Sequence, residues 1–430
     1  MKESNYNYYV PYENKTIIFN GLSKSMFVVS KENAPKFKSI LQNPSKYSEK
    51  FGFFLDKMLE HGFVCKGEKN EYAYMMNKYR ESLWPNYYRL MILPTYKCNL
   101  SCWYCVQEHR HVDMSSEVIK RIKTHIKKYL STHDINVFYL TWFGGEPLIQ
   151  YKTILDISSY AKEVCENLGI EMKGGITTNS LLLTRERIRE LGKLNINFFQ
   201  ITIDGNREDH NKVKHLPNVD TFNKSLSNIV DIIRIIPNAS VNLRINYSKK
   251  TLESLEMINQ INEIIPKEFR RQIEVSPKKI WQEDDNSINQ QDLADFSDYI
   301  DKSGYNIEST EFGICYVDYK HSTTIFPNGK IDICNLDNQD GRATLSEEGN
   351  IIWKEEDLCF QQSADKENII CNECKHFPIC GGPCPVRRNS MIRENGKVYC
   401  IFENSETMHS RMEREVIKYY KEMVYTKTSK

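Results

Sequence analysis

Charge of one sign is what this sequence lacks most. Its 430 residues carry 58 Lys and Arg against 57 Asp and Glu, a formal net charge of +1. So even a balance creates no field that would draw in nucleic acid or an acidic membrane, and neither is expected as a partner. Long apolar runs are missing as well. No window approaches the roughly 18 uninterrupted apolar residues of a membrane span. The opening MKESNYNYYVPYENK has no hydrophobic stretch with a small-residue cleavage site. The expected location is the cytoplasm. There is no repeat of fixed period and no low-complexity tract. At 40% hydrophobic and 27% charged, the composition is that of an ordinary soluble globular chain, long enough for several domains.

Cysteine, by contrast, is plentiful. Thirteen cysteines in a reducing compartment are not expected to form structural disulfides. Their clustering reads as metal ligation or redox chemistry.

Four segments are expected. Residues 1–84 open with short β-rich runs, YNYYV, TIIFN and SMFVVS, followed by two helical stretches, the second stopped by Gly62. A returning strand would complete a winged-helix-like module. Residues 85–305 alternate strands and amphipathic helices. The strand candidates are YRLMILP, NVFYLTWF, IEMKGGITT, NFFQITID, SVNLRINY and RQIEVSP. In SEVIKRIKTHIKKYL, an apolar face is formed by Val118, Ile119, Ile122, Ile126, Tyr129 and Leu130. Six βα units imply an α/β protein with a parallel sheet, a partial (β/α)6 TIM-like barrel. The polar run WQEDDNSINQQD after them reads as a linker. Residues 306–403 hold eight of the cysteines, and 404–430 read as a charged, solvent-facing C-terminal helix. Cys65 and Cys165 read as buried small hydrophobes.

The first cysteine group, in TYKCNLSCWYC, is Cys98, Cys102 and Cys105, with three and then two residues between them. A structural zinc site takes four ligands and disulfides take pairs, so three thiolates leave a vacancy. Three can hold three irons of a [4Fe–4S] cluster and leave the fourth open. The group follows the first barrel strand, at the end where such barrels place their chemistry.

This CxxxCxxC run, with Tyr104 before its last cysteine, resembles the signature of the radical SAM family. The resemblance implies that S-adenosyl-L-methionine chelates the open iron and is cleaved to a 5′-deoxyadenosyl radical. Further residues resemble the family's cofactor site. In TWFGGEP, Gly144, Gly145, Glu146 and Pro147 match its GGEP motif, Glu146 being placed to accept from the methionine ammonium. TTNS brings Thr178 and Asn179 to the end of the third strand. QITIDG carries Thr202 where serine is common, and Lys214 stands where arginine usually meets the carboxylate, losing the bidentate fork. LRINY offers Arg244 toward the ribose or carboxylate.

Cys315, Cys334, Cys371, Cys374, Cys380, Cys384 and Cys400 resemble in spacing the SPASM extension of radical SAM peptide and sulfatase maturases. The alternative for CNECKHFPIC is a zinc ribbon. The SPASM resemblance implies two auxiliary [4Fe–4S] clusters, three clusters in all. Cys371, Cys374, Cys380 and Cys400 would hold the distal one, and Cys315, Cys334 and Cys384 the proximal one. Cys359 is a candidate to close the latter, while Ser309 stands where some members have a further cysteine. An open iron there would favour thioether chemistry.

Residues 1–84 resemble the peptide-recognition element of such maturases, which binds a leader peptide at a sheet edge. The implied activity is an intramolecular cross-link in a ribosomally made precursor peptide, a thioether first and a carbon–carbon bond second. The implied reductant is a ferredoxin or flavodoxin. Alternatives are peptide epimerisation and sulfatase maturation. The latter is disfavoured because Asn335 stands where those enzymes place an aspartate base. A non-catalytic iron–sulfur or peptide-binding role would not require the intact Cys98, Cys102, Cys105 and GGEP. No catalytic base is assigned. His109, His111, Asp332, Asp337 and Tyr316 are near the cysteines in sequence, and Asp204 and His210 are expected to hold strand-end geometry.

Overall fold

The runs NYYVPY and KTIIFN are rich in β-branched and aromatic side chains, and the computed structural model of the chain pairs them as antiparallel β2 and β3. It describes residues 1–67, 70–253, 255–280, 282, 290–308, 315–335, 341–355, 371, 374–384, 386, 391, 400 and 405–428. They divide into two compact units. One comprises Met1–Pro85, Ser309–Lys320 and Leu358–Lys430, the other Asn86–Glu308 and His321–Asp357. The expected segment 306–403 is thus shared between both.

The first unit contains β1 (Lys2–Glu3), β2 (Asn7–Tyr12), β3 (Lys15–Asn20), β4 (Met26–Ser30), α1 (Ala34–Gln42), α2 (Pro44–Glu60), β5 (Val64–Cys65) and α3 (Glu71–Ser82). The sheet order is β2-β3-β4, antiparallel, and β1 pairs with β5. Helix α3, capped by the Asn70 side chain, was not expected. The strand period sends Ile18 to one face, where it meets Leu41, Leu55 and Phe63. Ile17 and Phe19 go to the other face, with Tyr8, Val10, Ile379, Met412 and Val416. Those last two residues belong to the C-terminal helix, Ser405–Thr428. That helix therefore buries one face on the sheet, where a solvent-facing helix was expected; its spaced apolar residues are outnumbered by charges and hide the stripe.

The second unit is built on β6 (Tyr87–Ile92), α4 (Ser116–Thr132), β7 (Val137–Trp142), α5 (Tyr151–Leu168), β8 (Glu171–Thr178), α6 (Arg185–Lys193), β9 (Ile196–Asp204), α7 (Arg207–Val213), α8 (Thr221–Ile235), β10 (Ser240–Tyr247), α9 (Lys249–Glu253), α10 (Glu256–Ile264), β11 (Ile273–Lys279) and α11 (Gln290–Lys302). Short strands follow: β12 (Asn306–Ile307), β13 (Ser322–Ile325), β14 (Lys330–Asp332), β15 (Ala343–Leu345) and β16 (Ile351–Trp353). All eleven strands share one sheet, ordered β12-β11-β10-β9-β8-β7-β6-β13-β14-β15-β16. The six expected strands lie parallel in sequence order, as βα repeats require. Segment 321–357 joins this unit because β13 adds in parallel to β6. The expected linker 281–292 is described only at Gln282 and from Gln290, where α11 begins.

Alternation along these strands separates two environments. Leu90, Leu140, Ile201, Leu243 and Val275 join the main core with Ile122 and Ile126 of α4. The opposite face of β9 and β10 carries Gln200, Thr202 and Asp204 level with Asn242, Arg244 and Asn246. Cys65 and Cys165 are buried as expected. No helix among the described residues is long and apolar enough to cross a membrane.

Candidate functional site

The loop carrying the first three cysteines leaves β6 and is shaped by the loop that follows β7. Gly145 N donates to Thr95 O at 3.2 Å and Glu146 N to Lys97 O at 2.8 Å. A Cβ on Gly145 would stand 2.2 Å from Lys97 O, and one on Gly144 2.5 Å from Thr95 O. Gly144 also has φ +124°, which L side chains rarely adopt. The close backbone approach that the glycines permit is thus to the cysteine loop itself.

Glu146 is fully buried. Its Oε1 accepts from Leu148 N (3.0 Å) and Thr178 Oγ1 (2.7 Å), and its Oε2 from Asn179 N (2.8 Å). Pro147 is buried and starts the short 3-10 turn that Glu146 caps. Burial pushes the Glu146 carboxyl above its usual range, against the hydrogen bonds from Thr178, Asn179 and Leu148 and the pull of Lys214. Three of a carboxylate's roughly four acceptor directions are filled by this chain's own groups. Asn179 carries the brace onward, since its Nδ2 donates to Asn99 Oδ1 at 2.8 Å and lies 3.9 Å from Cys98 Sγ.

A second brace grips the far end of the loop. Tyr104 OH donates to Asp204 Oδ1 at 2.6 Å, as does Asn246 Nδ2 at 2.8 Å. Lys214 Nζ stands 3.5 Å from Asp204 Oδ2 and donates to Thr202 O. Asp204, Lys214 and His210 are all buried. Burial alone would raise the Asp204 carboxyl. The charge of Lys214 and the bonds from Tyr104 and Asn246 hold it below the usual range. Burial, with Lys214 nearby, drives His210 down to about 3. Its Nδ1 accepts from Asp204 N at 3.2 Å, so the neutral ring carries its proton on Nε2. Asp204 Oδ2 and His210 Nε2 are buried and make no hydrogen bond among the described residues. As expected, the two residues hold the end of β9 in place.

Burial is also the main reason the Cys98 and Cys102 thiols are pushed up to about 11, and Lys214 partly offsets it at Cys102. Cys105 is raised by burial too, though part of it reaches solvent. Metal loading must therefore displace protons from all three. His109 Nε2 lies 3.4 Å from Cys105 Sγ. Arg244 is level with Thr202 and donates from Nε to Asn246 Oδ1 at 2.9 Å.

The later cysteines are dispersed between the units. Cys334 follows β14 in the barrel unit and is buried. Beside it, Asn335 O accepts from Gln107 Nε2 at 3.3 Å. Asp332 is held by Arg342 at 2.6 and 2.7 Å, both side chains buried, which removes it as a base. Cys315, Cys371, Cys374, Cys380, Cys384 and Cys400 belong to the other unit. There Cys371 and Cys374 share one apolar cluster. Burial raises the Cys380 thiol, with Cys374 and Cys400 close enough to add to it. Cys359, Asp337 and Ser309 lie outside the described residues.

Sequence reasoning missed Asn246, Asn99, Gln107 and Gln282, the last donating to Tyr104 O at 2.7 Å. Asn246 was legible in principle: it lies two residues beyond Arg244, on the same face of β10. The other three sit in loops, where no period marks a facing residue.

A model of the Radical SAM superfamily matches residues 92–260. Those residues are a radical SAM domain. Its curated relatives include the Fe-coproporphyrin III synthase of Methanosarcina barkeri, 25% identical over 120 residues, 28% of each chain. The GTP 3′,8-cyclase of Clostridium perfringens is 24% identical over 185 residues, 43% of this chain and 54% of the relative. The chain thus spans about a quarter to a half of the length of these relatives. Among solved structures, native anSMEcpe with bound AdoMet and Cp18Cys peptide has a TM-score of 0.55 at 17% identity, over 80% of this chain and 100% of that one. Streptococcus suis SuiB bound to precursor peptide SuiA has a TM-score of 0.50 at 16% identity, over 92% and 97%. These likenesses establish the α/β radical SAM fold with its large parallel sheet.

The radical SAM loop fits the cluster that the family implies. Its donors are thiols alone, and Cys98 is within electrostatic reach of both Cys102 and Cys105. Among the described residues no three Cys, His, Asp or Glu converge on one metal ion.

Proposed function

We propose that the protein is a radical SAM enzyme that installs an intramolecular cross-link in a ribosomally made precursor peptide, with a thioether as the preferred bond and a carbon–carbon bond as the alternative. The observation that carries this reading is a sheet with an open edge joined to the cysteine-rich segment in one folded unit: among the described residues, nothing pairs with the outer edge of β4. An extended leader peptide can add there as a fourth strand, and tethering then raises the concentration of the core peptide at the barrel.

Cys98, Cys102 and Cys105 would hold the radical SAM cluster. S-adenosyl-L-methionine bound there supplies a 5′-deoxyadenosyl radical able to take hydrogen from an unactivated carbon. Gly144 and Gly145 keep the loop against the barrel, and Glu146 and Asn179 fix its first half. Lys214, Thr202 and Arg244 offer polar groups to the methionine and ribose ends, while Tyr104 and Asp204 lock the second half. Cys371, Cys374, Cys380 and Cys400 would hold one auxiliary cluster, and Cys315, Cys334 and Cys384, with Cys359 a further candidate, the other.

A thioether forms with loss of two hydrogens from the peptide. The balance would close with one hydrogen taken as an atom by the radical that the cofactor supplies, the other lost as the thiol proton, and the last electron accepted by a centre that the C-terminal cysteines would hold. The reductant would be a ferredoxin or flavodoxin, consistent with a cytoplasmic enzyme. Asn335 in place of an aspartate lacks the basicity that a sulfatase-maturing reaction would need there.

The test is anaerobic reconstitution followed by iron and sulfide counts. Reduced protein with S-adenosyl-L-methionine is then assayed for 5′-deoxyadenosine, with and without a candidate precursor peptide. About twelve irons for three four-iron clusters, with a peptide lighter by two hydrogens, is the expected result. About four irons, or bound zinc in the C-terminal segment, removes the auxiliary clusters. An absence of cofactor cleavage removes the enzyme.

A further inference from the structure

The N-terminal module and the segment Cys371–Cys380 share two apolar clusters, one on the β2–β3–β4 sheet and one on Tyr6 and α3. Tyr8 of β2 and Phe19 of β3 pack with Ile379, while Tyr6, Met75 and Tyr79 pack with Cys371, Phe377 and Cys374. A Cβ on Gly21, just after β3, would stand 3.3 Å from Ile379 and 3.2 Å from Tyr8, so the fit is close on this side too.

Polar contacts join the same two parts. The Tyr8 hydroxyl meets His376 Nδ1 at 2.8 Å and Lys375 O at 3.3 Å. Lys375 Nζ lies 4.8 Å from the centre of the Tyr8 ring. From the turn between β3 and β4, Lys24 donates to Pro378 O at 2.5 Å. Cys374 and Cys380 are close enough to Tyr8 to act on its hydroxyl electrostatically. Among the described residues of the cysteine segment, Phe377–Cys380 forms a helical turn. Its backbone is held on one side by the N-terminal module.

We infer that metal loading at Cys371, Cys374, Cys380 and Cys400 and the order of the β2–β3–β4 sheet are one coupled equilibrium, with Tyr8 and Lys24 acting as positioning residues for the cysteine centre. The coupling is reciprocal. A centre that orders the sheet is itself adjusted by whatever binds the sheet edge, so leader engagement and the auxiliary centre report on each other. This rests on the reading of these cysteines as ligands of an auxiliary cluster.

Hydrogen exchange and electron paramagnetic resonance test it on the full-length reconstituted chain. The probes are Cys374→Ala/Cys380→Ala, which removes two distal ligands, and Cys98→Ala/Cys102→Ala/Cys105→Ala, which removes only the barrel set. The first should speed exchange of the β2 and β3 amides about tenfold or more, with β8 and β9 unchanged; the second should leave β2 and β3 alone. Tyr8→Phe and Lys24→Met should keep the wild-type iron count but alter the resonance of one reduced auxiliary cluster. That change is something a merely structural contact would not produce.

Unchanged β2 and β3 exchange in the double variant, or an unaltered resonance in Tyr8→Phe and Lys24→Met, overturns the coupling. If wild-type protein carries zinc in this segment, the cluster reading fails while the exchange comparison still decides the coupling.

Discussion

The two cysteine regions are held in opposite ways. In the barrel, the loop with Cys98, Cys102 and Cys105 hangs from a continuous parallel sheet. Backbone bonds from Gly145 and Glu146 fix one end, and the Tyr104–Asp204 contact fixes the other. In the second region, Cys371 and Cys374 precede a helical turn ending at Cys380, and these residues borrow their packing from β2, β3 and α3. The first site is preformed by the fold that carries it, and the second depends on a partner segment far away in sequence. Radical chemistry benefits from the first arrangement, because cofactor and substrate must be oriented before a reactive species is made. The second arrangement suits a centre whose properties follow what another module binds.

The comparison is broken most severely at Gly145. Gly145→Ala forces a carbon to within 2.2 Å of Lys97 O, which is backbone and has nowhere to retreat. The expected cost is more than about 3 kcal/mol, with loss of iron from the barrel set. Thermal unfolding and iron counts check it; wild-type stability would show that the glycine clamp is dispensable. Asp204→Asn comes next. The amide keeps the acceptor used by Tyr104 and Asn246 but strands the buried Lys214 ammonium. About 3 kcal/mol should be lost. Adding Lys214→Met should recover part of it in a double-mutant cycle, and purely additive losses would show that the two charges do not interact.

These particulars also show what the chain made readable. The six barrel strands were legible because short strand-like apolar runs recur between amphipathic helical stretches, and the cysteine triad because its spacing and its place after a strand reinforce one another. The roles of Glu146 and Asp204 were only half legible. Both are held by loop or strand-end partners remote in sequence, Asn179 and Tyr104, and such pairings leave no periodic trace. The docking of the C-terminal helix on β2 and β3 was hidden for a related reason: Met412 and Val416 sit among charged neighbours. The splitting of residues 306–403 was out of reach, because β13 is too short to announce that it extends the sheet at β6.

A smaller effect sharpens the contrast through pH. His125 of α4 is buried, with Nε2 2.7 Å from Tyr88 OH and Nδ1 2.8 Å from Gly349 O. Burial lowers it to about 4 from an ordinary value of 6.5. A histidine depressed in the folded state stays neutral there while the unfolded chain takes up a proton. Its contribution is therefore present above pH 6.5 and is lost as pH falls from 6.5 toward 4. By linkage, about 2 kcal/mol should be gone by pH 5 from this residue alone. His125→Gln, measured by urea unfolding at pH 7 and pH 5, should show a shallower dependence; an unchanged slope would assign the acid sensitivity elsewhere, His210 and His321 being further buried candidates in this unit.

The finest test is Tyr104→Phe. Its hydroxyl donates to a buried carboxylate that Asn246 and Lys214 also hold, and it lies within reach of Asn246 and Cys102. Losing it should cost about 1–2 kcal/mol, with Cys98, Cys102 and Cys105 still able to load iron. If the hydroxyl positions the cysteine loop, cofactor cleavage should fall several-fold at full iron content, and the resonance of the reduced barrel cluster with S-adenosyl-L-methionine should broaden. If stability drops while cleavage and resonance stay at wild-type levels, the bond only closes the end of β9, and the loop owes its geometry to the glycine clamp alone. The two results separate a loop held at both ends from one held at a single end, which is the property that sets it apart from the C-terminal cysteines.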